Sequence, residues 1–306
     1  MRNNAAIGTM APRFPDGLAT GRFAGQLSAM HRREMLRWSA GAALAAAFPR
    51  PRRASARKLE RIGLQLYTVR AAMARDVEGT LARVAEIGYR EVEFAGYFDR
   101  TPAAVKAAVA SAGLAAPAAH VPYETLGDGW DAVLATAAAI GHSAVLVAWI
   151  PREERADLDG WKRVAERFNQ AGERAREAGL GFGYHNHGYE FAPLGGQVPY
   201  DVLLTATDPA LVTFEMDLYW TVQGGGDPLA WFATHPGRFP FVHVKDSGGP
   251  PDHRMVDLGR GTIDFAAIFA RSDQAGIRHY FVEHDEPPDP FPFCRDAFAY
   301  LRDLEF

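Results

Sequence analysis

Cysteine is almost missing from the chain: Cys294 is alone among 306 residues, so no internal disulfide can form. Long apolar runs are missing too. The alanine-rich stretch from Trp38 to Phe48 is well short of the roughly 20 residues a stable membrane span needs. Basic charge is scarce beyond residue 56. The first 56 residues carry nine Lys and Arg against two Asp and Glu, leaving 24 basic and 35 acidic residues and a net charge near −11 in the remainder. A body so acidic argues against nucleic acid as a partner, because binding there depends on neutralising phosphates with Lys and Arg. A Gly-rich phosphate loop is also lacking after the first strand candidate, where Gln65-Leu66-Tyr67-Thr68-Val69-Arg70 stands instead. That weighs against a doubly wound open sheet, the structural rival.

What is present begins with a processing pattern. Met30-His31-Arg32-Arg33-Glu34-Met35-Leu36 precedes the apolar run, and Ala54-Ser55-Ala56 follows it, giving a basic region, an apolar region and a small-residue cleavage site in order. It resembles a twin-arginine export signal. Residues 1–56 are therefore expected to be an N-terminal extension and export signal cleaved near Ala56, and 57–306 the exported, periplasmic body; the alternative is an uncleaved tail. Residues before Met30 carry no pattern and read as an over-extended start. Folding before export would suit a chain without disulfides and allow a metal to be loaded in the cytoplasm.

From Lys58 onward, short β-branched or aromatic runs alternate with helical patterns, and the chain's 48% hydrophobic content is ample for a core. The strand candidates are Ile62–Tyr67, Glu91–Phe94, Ala116–His120, Ala144–Ala148, Gly181–His185, Val212–Asp217, Phe241–Val244 and Tyr280–Glu283. Helical segments fall at Val77–Ile87, Pro102–Ser111, Trp130–Ile140, Leu158–Ala178, Val202–Thr205, Pro228–Thr234, Ile263–Ala275 and Phe293–Leu304. Gly88, Gly113, Gly141, Gly179 and Gly276 mark helix ends, where glycine alone takes the left-handed turn at little cost. Thr101-Pro102 reads as a helix cap followed by proline in the first turn. Gly224-Gly225-Gly226 reads as a loop hinge. Eight βα units in this length predict an α/β fold, a single-domain (β/α)8 TIM barrel.

The chemistry centres on Gly183-Tyr184-His185-Asn186-His187-Gly188-Tyr189-Glu190. Four successive strand-like runs finish on His185, Asp217, His243 and Glu283, each a whole βα unit from the next, which excludes a local ligand loop. A divalent cation accepts neutral imidazole and carboxylate in such a mixture. Barrels of this class form their sites at the carboxyl ends of the strands, where Gln65, Glu93, His120, His187, Lys245 and Asp246 also stand. Lys245 and Asp246 have an equally good reading as a structural ion pair, and Arg254 and Arg260 read as solvated loop charges.

At these residues the chain resembles the xylose-isomerase-like TIM-barrel family of sugar phosphate isomerases/epimerases, which shares its fold with the AP endonuclease 2 superfamily. The resemblance spans about Leu59 to Leu304. It rests on Ile62 to Arg70, Gly88 to Glu93, Tyr184-His185-Asn186-His187, Asp217-Leu218-Tyr219-Trp220, His243-Val244-Lys245-Asp246, Gly259 to Phe265 and Val282-Glu283. It implies one divalent ion (Mn, Co, Mg or Zn) held by Glu, Asp, His and Glu. Asp217, His243 and Glu283 match three positions; His185 stands where the fourth carboxylate is usual, with Glu190 as the alternative oxygen ligand or a substrate contact. Trp220 replaces a polar residue of the family pattern and offers an aromatic face to a sugar.

The implied chemistry is proton abstraction next to a carbonyl through an enediolate, with Glu283 as the leading base and Glu190 as the second catalytic candidate. Gln65, Glu93, His120, His187, Trp220 and Lys245 are the expected substrate contacts. The alternatives are a lyase or dehydratase of a keto-sugar, 3-keto-glycoside or inosose, and a non-catalytic exported sugar-binding protein. An abasic-site endonuclease is disfavoured by the acidic body. The partners implied are a small-molecule carbohydrate and the twin-arginine export machinery, with a homo-oligomer compatible with the chain.

Overall fold

The computed structural model describes residues 56–306, so the expected export signal lies outside the described residues. Eight parallel strands close a barrel in chain order: β1 (Gly63–Gln65), β2 (Glu91–Phe94), β3 (Ala115–Val121), β4 (Ala144–Val147), β5 (Gly181–His185), β6 (Val212–Asp217), β7 (Phe241–Val244) and β8 (His279–Val282). The ring is shut by Gly63 pairing with Phe281 and Leu64 with Val282, which removes the open-sheet rival. No helix of the described residues is long and apolar enough to cross a membrane.

Four strands, β2, β5, β6 and β7, have the bounds their sequences predict. The strand expected at Ile62–Tyr67 stops early because Leu66–Val69 wind into a 3-10 turn, whose Tyr67 amide donates to Gln65 Oε1 at 3.1 Å. The helix caps also follow the sequence. Asp76, Thr101 and Asp157 each accept from an amide in the first turn of Val77–Ile87, Pro102–Ser111 and Leu158–Glu177. All five helix-ending glycines have positive φ; at Gly88 a Cβ would also strike Phe298.

Two expectations fail for visible reasons. The segment Ile263–Ala275 is not one helix but two short ones, Phe265–Phe269 and Ser272–Ala275. Between them the Ser272 hydroxyl donates to Phe269 O at 2.6 Å, and such side-chain bonds compete with helix continuation. The triple glycine is no free hinge: a Cβ on Gly224 or Gly226 would come within 3 Å of the Phe191 ring, so this turn is packed tightly.

The barrel axis is filled, not hollow. Ala118, Ala144, Leu146, Phe241 and Phe281 form a buried cluster, with the two phenyl rings near parallel. Gly63 makes room for them, since a Cβ there would lie 2.4 Å from Phe281 Cδ1. Residues alternate between the two faces of a strand. The same alternation that buries Phe241 and Phe281 therefore brings His243 and Glu283, two residues further on, to the layer above this plug.

Candidate metal centre and active site

Register does the assembling. Gln65 pairs with Glu93 between β1 and β2, His185 with Glu215 between β5 and β6, and Asp217 with His243 between β6 and β7. In the deeper layer, Glu93 Oε2 accepts from Gln65 Nε2 at 2.6 Å and meets His243 Nε2 at 2.6 Å. Glu215 Oε2 gathers three imidazoles: His120 Nε2 at 2.8 Å, His185 Nδ1 at 3.0 Å and His243 Nε2 at 3.0 Å. In the outer layer His243 Nδ1 lies 2.7 Å from Glu283 Oε2. The Lys245 ammonium is 2.6 Å from that same oxygen, 3.0 Å from Asp217 Oδ2 and 2.7 Å from Asp285 Oδ1. All of these side chains except His120 and Asp285 are buried.

Asp217 is aimed by its neighbours. Its Oδ1 caps the short helix Leu218–Gln223, accepting from Trp220 N at 2.8 Å, while Asn186 Oδ1 holds its backbone amide at 3.1 Å. Oδ2 is thereby left facing the site.

So many buried carboxylates require compensation. Burial opposes ionisation of Glu215, but the surrounding imidazoles outweigh it and hold its carboxyl well below the usual range. Glu93, buried and repelled by Glu215, is pushed up. Burial also opposes charge on His243, yet Glu215, Glu283 and Glu93 raise it well above the ordinary imidazole value. Glu283 is held well down against burial by Lys245 and His243, and Asp217 is pushed up to about 6, chiefly by burial. His185 and His187 are kept neutral by burial, His187 down to about 3.

The donor set fits a divalent cation. One ligand atom from each of Asp217, His243 and Glu283 lies within 4.8 Å of the others, and the same holds for His120, His185, Glu215 and His243. Asp217 Oδ2, Glu215 Oε1 and Glu93 Oε1 are buried with no hydrogen-bond partner among the described residues. Lys245 Nζ is within ion-pair distance of Asp217 Oδ2 without the geometry of a hydrogen bond, which leaves that oxygen free to take a further partner. A mixed imidazole and carboxylate set suits a divalent metal without selecting one. Coordination by His243 would require the imidazole to give up a proton.

A family model described as Xylose isomerase-like TIM barrel matches residues 81–304. The chain belongs to that family. The sugar phosphate isomerase/epimerase of Parabacteroides distasonis ATCC 8503 is 30% identical, with a TM-score of 0.71 over 80% of this chain and 98% of that one. Inosose dehydratases of Lacticaseibacillus casei and Geobacillus thermodenitrificans strain NG80-2 are 29% and 28% identical over 163 residues, which is 47% of this chain and 54% of theirs. The chain spans about half the length of the dehydratases it matches.

In this xylose isomerase-like barrel, Gln65, Glu93, His120, His185, Asp217, His243, Lys245 and Glu283 converge on one rim. A cavity of about 400 Å³ opens over them, lined by His120, His185, His187, Lys245 and Glu283 among others. Four expectations need correction. Gln65 and Glu93, expected to touch substrate, are fully buried in the deeper layer and do not line the cavity. Glu190 does not reach the cluster: it is fully buried, its Oε1 taking the Tyr184 hydroxyl and the His187 amide, so it braces the loop behind His187. Burial pushes its carboxyl up to about 7. Trp220 does not line the cavity but packs against His187, with ring centroids 5.6 Å apart, and its indole nitrogen is buried. Lys245 does not pair with Asp246, whose carboxylate accepts the amides of Ser247, Gly259, Gly261 and Ile263.

Three residues were missed. Glu215 stands two positions before Asp217 on β6 and so faces the same side, a signal the two-residue period could have supplied. Asp285 lies beyond the last strand, two residues after Glu283. Trp149 follows β4 and lines the cavity mouth.

Proposed function

We propose that this protein is a divalent-metal-dependent carbohydrate enzyme that abstracts a proton next to a carbonyl and forms an enediolate. The carrying observation is the convergence of Asp217, His243, Glu283 and Lys245 in one buried outer layer beneath a cavity of about 400 Å³. A divalent ion bound there would polarise the substrate carbonyl and neighbouring hydroxyl; Asp217, His243 and Glu283 would hold it, with His185 beside them. Glu283, held ionised at the cavity wall, takes the α-proton. Neutral His185 and His187 offer hydrogen bonds to substrate hydroxyls without adding charge. Lys245, anchored to Asp285, supplies positive charge beside the developing oxyanion.

Isomerisation or epimerisation returns the proton to carbon. The same enediolate can instead expel a β-substituent, and one observation favours this lyase or dehydratase outcome. With Glu190 turned behind His187, the carboxylates lining the cavity among the described residues, Glu283, Asp285 and Glu286, all come from one short segment, and none from another strand end stands opposite as a two-carboxylate epimerisation would need. Elimination needs one base and one donor. Glu283 receives the carbon-bound proton, the carbon–oxygen bond breaks, and the departing oxygen is protonated by the Lys245 ammonium or a His120 imidazolium.

Solvent-deuterium exchange into a keto-sugar by the metal-loaded protein tests the reading. The expected result is α-deuteration that falls by about a hundredfold or more in Glu283→Gln. Equal exchange in both proteins removes Glu283 as the base, and none in the wild type leaves a sugar-binding protein.

A further inference from the structure

Among the described residues, three large apolar side chains are strongly exposed, and two of them, Trp149 at 52% and Tyr67 at 41%, line the mouth of this one cavity. Tyr67 follows β1 and Trp149 follows β4, so they stand well round the rim from one another. Both are held in place. The Arg155 guanidinium lies over the Trp149 ring at 5.2 Å, Tyr189 meets it edge-on at 5.3 Å, and Arg70 lies over Tyr67 at 4.0 Å. Leaving such rings in water costs free energy unless a ligand covers them, and a fixed exposed ring suits the apolar face of a pyranose or an aromatic group.

Charge narrows the ligand further. Among the described lining residues the groups that can carry positive charge are already paired: Lys245 with Asp217, Glu283 and Asp285, and His120 with Glu93 and Glu215. Glu283, Asp285 and Glu286 line the same mouth. Neither rim arginine lines it, and both donate to backbone carbonyls, Arg70 to Asp285 O and Arg155 to Ile150 O. Away from the metal centre, a phosphate at this mouth would meet Glu283, Asp285 and Glu286 and, among the described lining residues, no unpaired cation.

Building on the proposed chemistry, we infer that the substrate is an unphosphorylated glycoside: the reacting sugar occupies the polar floor, and the ring of its aglycone or second sugar stacks at the Trp149 and Tyr67 rim. This selects the glycoside from the keto-sugars the chemistry alone would accept.

The test is binding to the zinc-loaded protein, followed by ligand-observed NMR, of methyl β-glucopyranoside, phenyl β-glucopyranoside and glucose 6-phosphate. The phenyl glycoside is expected to bind about tenfold tighter than the methyl one, and glucose 6-phosphate more weakly than either. Trp149→Ala should erase most of that preference and Trp149→Phe keep most of it, with zinc content and melting temperature unchanged in both. Equal binding of the two glycosides, no binding of the phenyl glycoside, tighter binding of the phosphate, or a preference surviving Trp149→Ala with Tyr67→Ala would each overturn the inference. These ligands do not react, so failure here is separate from failure of the exchange assay. A protein with the phenyl preference and no α-proton exchange keeps the subsite and loses the proposed chemistry.

Discussion

Replacing Lys245 with Met tests whether the site is built to exchange one cation for another. The buried ammonium lies within 3.0 Å of Asp217 Oδ2, Glu283 Oε2 and Asp285 Oδ1. Methionine keeps much of the volume and deletes the charge, leaving carboxylates without their counter-ion. Removing one partner of a buried pair costs about 3–5 kcal/mol. For a body of this size that is a fall in melting temperature of about 6–20 °C. The loss should appear in full in EDTA and shrink with saturating divalent metal, because the metal takes over neutralisation of Asp217 and Glu283. A thermodynamic cycle then fixes a second quantity. If most of the loss is confined to the metal-free form, metal binding must tighten by the same free energy, about a hundredfold or more. Calorimetric unfolding with and without metal, and a metal titration of both proteins, measure the two sides independently. Equal destabilisation in both forms, or an unchanged metal affinity, would refute the shared-oxygen reasoning.

Further outcomes concern other parts of the molecule. Asp217→Ala and His243→Ala should each lose bound metal by elemental analysis; full retention in both would reject the proposed cage. Glu190 has its carboxyl raised from 4.5 to about 7 by burial, so its protonated form stabilises the fold fully below pH 4.5, and that contribution is lost as pH rises through about 7. The difference between wild-type and Glu190→Gln stability profiles, from urea unfolding at pH 5 to 8, should shift by up to about 3 kcal/mol in favour of the variant at high pH; parallel profiles would contradict it. Gly63→Ala drives a methyl into Phe281 and should cost about 1–3 kcal/mol, partly recovered by adding Phe281→Leu; no loss in the single variant would show the plug to be loose. Arg32→Lys with Arg33→Lys should hold the protein inside the cell, and fractionation showing unchanged export would remove the twin-arginine reading.

Much of the barrel could be read from the chain because two local signals agree at the same places. Strand-like runs such as Gly181–His185 and Val212–Asp217 end on a His or a carboxylate, and helices stop at glycines that do take positive φ. Non-local contacts were harder. That Gln65 faces Glu93, or that His120 shares an oxygen with His185 and His243, depends on the register between strands and on ring closure, which no single segment encodes. Glu190 misled because its spacing from His185 suggested reach, while the loop actually turns it toward Tyr184. The break near Ser272 depends on a hydroxyl whose other contact, Tyr280, sits on a different strand.

The stacked Phe241 and Phe281 rings beneath the polar layer have a bearing on traffic. With that end of the axis stoppered, whatever enters the cavity and whatever leaves it must pass on the side where Tyr67 and Trp149 stand. On the proposed elimination, the smaller product could not drain away underneath, and the order of release past Trp149 would set when the next molecule comes in.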